Sequence, residues 1–155
     1  MTILVFSDSH GNYRPMERAL RRERPDAVFH LGDGGSELEK LAAAWPRLPL
    51  TCVKGNCDTG SSLPEHAAVD LEGFRFFLTH GHNYSVRFSL DRLLLAAQLA
   101  GADAALFGHT HVQVCETRQG MRVLNPGSIG KLGQYAVIEI KDGRMICRTE
   151  EISDN

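Results

Sequence analysis

The chain reads as an α/β protein with two sheets packed face to face, each covered on its outside by helices. Three observations predict this. The first third runs β-α-β-α-β, the order of a parallel sheet joined by crossover helices. The remainder is largely β, with hairpin signals at Glu72-Gly73, Gln119-Gly120 and Asp142-Gly143. Those later strands must extend the first sheet or build a second. With helices outside, two facing sheets are the economical solution. At 155 residues the chain suits a single domain over residues 1–155.

Residues 2–6 form the first strand, apolar after Thr2 and therefore central in its sheet. A polar turn over 7–12 follows. A helix begins near Pro15, with Met16, Ala19 and Leu20 as its core stripe. Its arginines (Arg14, Arg18, Arg21, Arg22, Arg24) form a solvated face, and Arg14 is also placed to touch an anion. Residues 27–31 form a second strand ending at Gly32-Asp33-Gly34. Leu38, Leu41, Ala42 and Trp45 repeat at helical spacing, and Pro46 stops that helix. The third strand, 50–53, ends at Gly55-Asn56-Cys57-Asp58.

After a Gly/Ser/Pro loop over 60–65, strands 66–71 and 74–79 form a hairpin ending at His80-Gly81-His82. Ser89 is placed to cap a helix over 90–100. Leu90, Leu93, Leu94, Leu95, Ala97 and Leu99 give that helix a broad apolar face, for core packing or for contact with a second copy. The buried strand 104–107 leads into Gly108-His109-Thr110-His111, whose two histidines, two residues apart, are expected to project to one side. Strands over 112–117 and 121–124, a loop over 125–128, and a last hairpin of 135–140 and 144–150 complete the chain.

A net charge of −2 offers no global basic field for nucleic acid. The most apolar stretch, 90–107, contains Asp91, Arg92, Gln98 and Asp103, which rules it out as a membrane span. No signal peptide is visible, since the first residues already form a strand. Cys52, Cys57, Cys115 and Cys147 have no CxxC spacing; Cys52, Cys115 and Cys147 read as reduced core residues. The expected compartment is the cytoplasm.

Metal-type side chains stand just past strand ends: Asp8 and His10, Asp33, Asn56, His80, and His109 with His111. In α/β sheets, sites form beyond the carboxyl ends of strands, where these groups can converge. Taken one at a time, each has an ordinary reading as a capping Asp, a turn Asn or a surface His.

Asp8-x-His10, Gly32-Asp33, Gly55-Asn56-x-Asp58, His80-Gly81-His82 and Gly108-His109-x-His111 resemble, in order and type, the calcineurin-like metallophosphoesterases. The likeness runs from residue 4 to about 130. The small size, Asn56-Cys57-Asp58 and Asn125-Pro126-Gly127-Ser128 are similar to its bacterial and archaeal phosphodiesterase subgroup, near the eukaryotic retromer subunit of the same fold. The resemblance implies a four-layer αββα sandwich with two divalent metals. It implies that Asp8, His10, Asp33 and His111 hold one ion and Asp33, Asn56, His80 and His109 the other, with Asp33 bridging. Such a bridge holds cations roughly 3.5–4 Å apart, as two-metal catalysis needs.

The implied activity is a metal-dependent phosphoesterase, a phosphodiesterase before a phosphomonoesterase. Its expected mechanism is in-line attack on phosphorus by a hydroxide bridging the metals. Asp33, Asn56 and His109 are the expected catalytic residues, and Asp58 is expected to orient a neighbour. Two divalent ions, less two carboxylates and a hydroxide, leave one positive charge to attract an anionic ester. The ligand set of nitrogen and oxygen suits Mn, Fe, Co, Ni or Zn, and the resemblance favours manganese, then nickel.

Many relatives carry His after the Asn as a general acid, where this chain has Cys57. A thiol, with a reference pKa near 8.5, is a poor substitute. Cys57 is thus either a substrate contact limited to good leaving groups or a small residue filling a turn. Asn12 and His82 are further candidate substrate contacts, His82 also reading as a surface residue. His30 is expected to be a satisfied core histidine and His66 to be bland. The expected partner is a small phosphoester, with no membrane, no nucleic acid and room for a homo-oligomer. A protein-binding scaffold of the same fold is the alternative; loss of ligands would signal it, and all seven positions are filled.

Overall fold

Ile3, Leu4, Val5 and Phe6 are all fully buried in strand β1 (Thr2–Phe6), yet they serve two different cores. Side chains alternate across a strand, so Ile3 and Val5 point one way and Leu4 and Phe6 the other. That two-sided burial makes the strand central. In this computed structural model, which describes residues 1–153, β1 is the middle of the order β10-β9-β1-β2-β3. It pairs parallel to β2 (Ala27–His30), which pairs parallel to β3 (Leu50–Cys52). On its other side it pairs antiparallel to β9 (Gln134–Lys141), which pairs with β10 (Arg144–Glu151).

The second sheet has the order β4-β5-β6-β8-β7. The hairpin of β4 (His66–Leu71) and β5 (Phe74–Thr79) turns on Glu72 and Gly73, with φ of 51° and 85°. Two successive positive φ values match the twist of the flanking strands. β5 runs parallel to β6 (Ala104–Leu106), and β6 parallel to β8 (Met121–Asn125). β7 (Val114–Arg118) closes the edge antiparallel to β8.

Three apolar clusters define four layers. Ile3, Val5 and Phe29 from the first sheet meet Phe76, Leu106 and Leu124 from the second, filling the space between the sheets. Leu4, Phe6 and Val28 pack outward on Met16, Ala19 and Leu20 of α1 (Arg14–Glu23) and Leu41 of α2 (Ser36–Ala44). Phe77, Ala105 and Val123 pack outward on Leu93, Leu94 and Ala97 of α3 (Asp91–Leu99). Burying a Leu or Met completely is worth about 1.5–3 kcal/mol, so each helix is held by its stripe rather than by propensity. This is the expected αββα sandwich. No described helix is long and apolar enough to cross a membrane.

Several expectations need correction. Ala42 is exposed, and α2 rests chiefly on Leu41, with Trp45 half-buried at the cap. The third helix begins at Asp91, and Ser89 Oγ accepts from the Asp91 amide, a residue outside the expected cap position. Leu95 and Leu99 face solvent, so only part of the apolar stripe is core. Val112 is exposed and outside any strand, because the chain is still turning after His111. Cys115 lies on the outer edge strand and is exposed; all four thiols are unpaired. A one-turn helix, α4 (Ile129–Leu132), follows the 125–128 loop, with Ser128 Oγ accepting from the Lys131 amide.

Candidate metal centre

The register levels the strand ends. Phe6 pairs with His30, so the loops after β1 and β2 leave the sheet side by side. Backbone bonds continue past the strands: the Asp8 amide donates to Gly32 O at 2.9 Å and the His10 amide to Asp33 O at 3.0 Å. Opposite, the Gly108 amide donates to His80 O at 2.9 Å. The loops touch so closely that a side chain at Gly55 would collide with Asp33, and one at Gly108 with Ser7 and Asp8.

The backbone carries strain where these loops meet. Asp8, His10, Asp33, His109 and His111 are all left-handed, with φ between 44° and 70°. Each such residue is held there at a cost of order 1–3 kcal/mol, and such strain clusters at functional sites.

All seven side chains converge. Asp8 Oδ1 lies 3.1 Å from His111 Nε2, 3.5 Å from His10 Nε2 and 3.8 Å from His80 Nε2. Asp33 Oδ2 lies 3.3 Å from His80 Nε2 and 3.9 Å from His10 Nε2. Asn56 Oδ1 is 3.1 Å from His109 Nδ1, and the His80 and His109 rings meet edge to face at 5.1 Å. His109 and His111 do not project to one side, as a strand would have them. Their left-handed backbones send His109 towards Asn56 and His80, and His111 towards Asp8 and His10.

His80 carries the strongest pointer to a cation. Its Nδ1 sits 2.8 Å from Leu31 O, which only accepts, so Nδ1 holds a proton. Its Nε2 is buried without a hydrogen-bond partner, facing both carboxylates. Burial lowers the His80 pKa, but Asp33 and Asp8 outweigh it and the net shift is upward. Burial would likewise raise Asp33; the His80 ring and the Cys57 amide reverse that and hold it well below the carboxylate range. A divalent cation between the two carboxylates would satisfy the orphaned nitrogen and both acids at once.

Other side chains brace these groups. Ser7 Oγ donates to Asp8 Oδ2 at 2.6 Å, and the His109 amide donates to the same oxygen. Asp58 Oδ2 accepts from the Asp33 and Gly55 amides at 2.8 and 2.7 Å, so Asp58 does orient a neighbour. Asn125 Nδ2 donates to Gly108 O and Thr110 Oγ1. Buried Glu37 accepts from Ser9 Oγ and the Gly11 amide, clasping His10 from both sides.

The calcineurin-like phosphoesterase superfamily domain matches residues 1–143. The chain is 30% identical to a probable metallophosphoesterase of Bacillus subtilis, YsnB, covering 100% of this chain and 94% of that protein. It belongs to the calcineurin-like phosphoesterase superfamily. The phosphodiesterase MJ0936 of Methanocaldococcus jannaschii is 28% identical over 82% of this chain and 83% of its own. A predicted phosphoesterase of Streptococcus pneumoniae superposes with a TM-score of 0.81 at 33% identity, covering 99% of this chain and 92% of that one. A single mutant of Vps29 from Entamoeba histolytica shares the fold at a TM-score of 0.78 and 21% identity, covering 99% of this chain and 100% of that one. Family membership makes the chain a metal-dependent phosphoesterase.

Around the family's motifs, the other candidates fall in different places. His82 stands in a 3-10 turn (His82–Tyr84), its ring 5.5 Å from His80 and 6.2 Å from His109. Burial first and then the His80 charge lower its pKa. Cys57 is exposed at the rim, its Sγ clustered with ligand atoms of His10 and Asp33, all within 4.8 Å of one another. Burial of its sulfur and the Asp33 charge raise its pKa. Asn12 is exposed and its Nδ2 donates to Gly130 O at 2.9 Å, which turns that amide towards the backbone. Arg14 is exposed at the start of α1. His30 is fully buried and satisfied, with Nε2 2.9 Å from Ser9 Oγ and Nδ1 accepting from the Gly32 amide. His66 stacks on Phe77 at 5.7 Å. Sequence reasoning missed Ser7, Glu37 and Arg87, because nothing in spacing marks a residue that acts by bracing another.

Proposed function

We propose that this chain is a phosphodiesterase working with two divalent metals, manganese first. One ion would sit among Asp8, His10, Asp33 and His111, the other among Asp33, Asn56, His80 and His109, with Asp33 shared. The orphaned Nε2 of His80, buried between two carboxylates, is the observation that supports this most. When bound, such cations supply an acidic water and a positive seat for phosphoryl oxygens.

The protein's own share is positioning. Asp58 and Ser7 lock Asp33 and Asp8, and Asn56 and Arg87 fix the His109 ring. In hydrolysis, a water oxygen bonds to phosphorus, one ester P–O bond breaks, and the departing oxygen takes a proton or leaves as a stable anion. With Cys57 in place of an imidazole, the rim offers a weak acid, so esters with acidic leaving groups are favoured. His82, beside His80 and His109, is the proposed contact for the substrate. Four unpaired thiols suit a reducing compartment, the cytoplasm.

The test is hydrolysis of bis-nitrophenyl phosphate against mono-nitrophenyl phosphate, with Mn restored to chelator-stripped protein. Metal-dependent turnover of the diester above the monoester is expected. A preference for the monoester would overturn the diester assignment, and silence on both the enzymatic one.

A further inference from the structure

Beside the metal centre, a cleft of about 700 Å³ opens between α2 and the loop that follows Asn56. Its volume is that of a site for a small organic group. Leu38 and Ala42 of α2, Cys52 at the end of β3, and Leu63 give it apolar walls. Thr59, Gly60, Ser61 and Ser62 supply neutral polar edges. The charges that line it are both acidic, Glu39 and Asp58. Among the described residues lining it there is no lysine, arginine or histidine.

Cys57 belongs to both places. It lines the cleft, and its Sγ lies within 4.8 Å of ligand atoms of His10 and Asp33. Cleft and candidate metal centre thus share this one side chain. A second flank of the centre carries a cation, Arg87, whose guanidinium reaches His109.

The geometry points to this cleft as the seat of one ester arm of the substrate, and to that arm being an uncharged organic group. The inference rests on the phosphodiesterase reading and adds the substrate class to it. A phosphate held between the carboxylate-histidine cluster and Arg87 directs one arm past Cys57 into the cleft. There an aromatic or aliphatic group meets Leu38, Ala42 and Leu63. An anionic arm meets Glu39 and Asp58, and like charges brought together repel. An internal phosphate of a nucleic acid strand would carry the next phosphate into that acidic groove. The fitting substrate is a small diester with at least one neutral arm.

Two symmetric diesters test this, since whichever arm enters the cleft is then the same. One is bis-nitrophenyl phosphate; the other carries an added carboxylate on each nitrophenyl ring. The metal-loaded protein is expected to show a kcat/KM at least about tenfold higher for the uncharged ester. Glu39→Lys, a change on the exposed side of α2, is expected to shrink that ratio severalfold. Equal efficiency on the two esters, or a ratio that Glu39→Lys leaves unchanged, would overturn the cleft assignment while leaving the phosphodiesterase reading intact. No turnover of either ester would overturn both.

Discussion

Arg87 Nε donates to His109 Nε2 at 3.0 Å, and its NH2 group donates to His109 O at 3.3 Å. A guanidinium only donates, so Nε2 accepts and the ring's proton sits on Nδ1, directed at Asn56 Oδ1. One side chain thus sets both the ring and the left-handed backbone of a proposed ligand. With one nitrogen protonated and the other accepting from Arg87, the ring has no lone pair left for a cation, so metal binding must expel a proton and displace Arg87, and Arg87→Ala is expected to tighten metal binding severalfold. Thermal stability should change little, because Arg87 is exposed. Calorimetric titration of the chelator-stripped variant with Mn checks this; unchanged affinity would show that the contact is incidental.

Gly55 allows the third loop to lie against Asp33. A methyl group there would overlap the Asp33 carboxylate and amide. Gly55→Ala is expected to cost about 1–3 kcal/mol in stability, as overpacking does, and to reduce metal affinity together with it. Gly60→Ala in the same segment, where an added Cβ meets nothing, is the comparison. Its φ of +79° costs some strain but leaves Asp33 in place. Denaturant melts and metal titrations on both variants separate lost space from lost loop flexibility.

The stability that His30 contributes should fall on mild acidification. Burial holds His30 at a pKa of about 4 against its ordinary value of 6.5, although Glu37 opposes the shift. The folded state keeps the ring neutral while the unfolded chain takes up a proton. That contribution is therefore full above pH 6.5, declines as pH falls towards 4, and loses nothing further below that. The total is roughly 3 kcal/mol. Urea melts of chelator-treated protein at several pH values across that window read this directly, and His30→Gln should flatten the profile.

Burial of its sulfur and the Asp33 charge push the Cys57 pKa up, so the thiol is a weak acid. Cys57→His places a stronger acid at the rim, and is expected to raise turnover of diesters with poor leaving groups, such as alkyl esters, more than that of nitrophenyl esters. A uniform change across leaving groups would mark Cys57 as a filler of the turn.

Much of this arrangement is legible in the residues. The unbroken apolar run Ile3-Leu4-Val5-Phe6 marks a strand buried on both faces, and its alternation between two cores bears that out. Glu72-Gly73 marks a hairpin because both positions need positive φ. The metal-type residues stand past strand ends because such ends deliver side chains to one rim. Other features escape for physical reasons. Strand periodicity puts His109 and His111 on one side only if it extends into a loop, and that loop's backbone is left-handed. Leu95 and Leu99 continue an apolar pattern that α3 does not bury, since one helix presents only one face to the sheet. α4 has four residues, too few for a periodic signal. Glu37 is buried, contrary to its charge, with Ser9 Oγ and the Gly11 amide both donating to one of its two carboxylate oxygens.

The shared carboxylate of Asp33 is the centre of the proposed chemistry, and metal stoichiometry reads it most directly. Chelator-stripped protein reloaded with Mn and freed of excess ion should carry two ions per chain by elemental analysis, and Asp33→Asn should carry at most one, with diester hydrolysis lost. A wild-type chain that holds no ion, or an Asp33→Asn variant that still holds two and stays active, would contradict it.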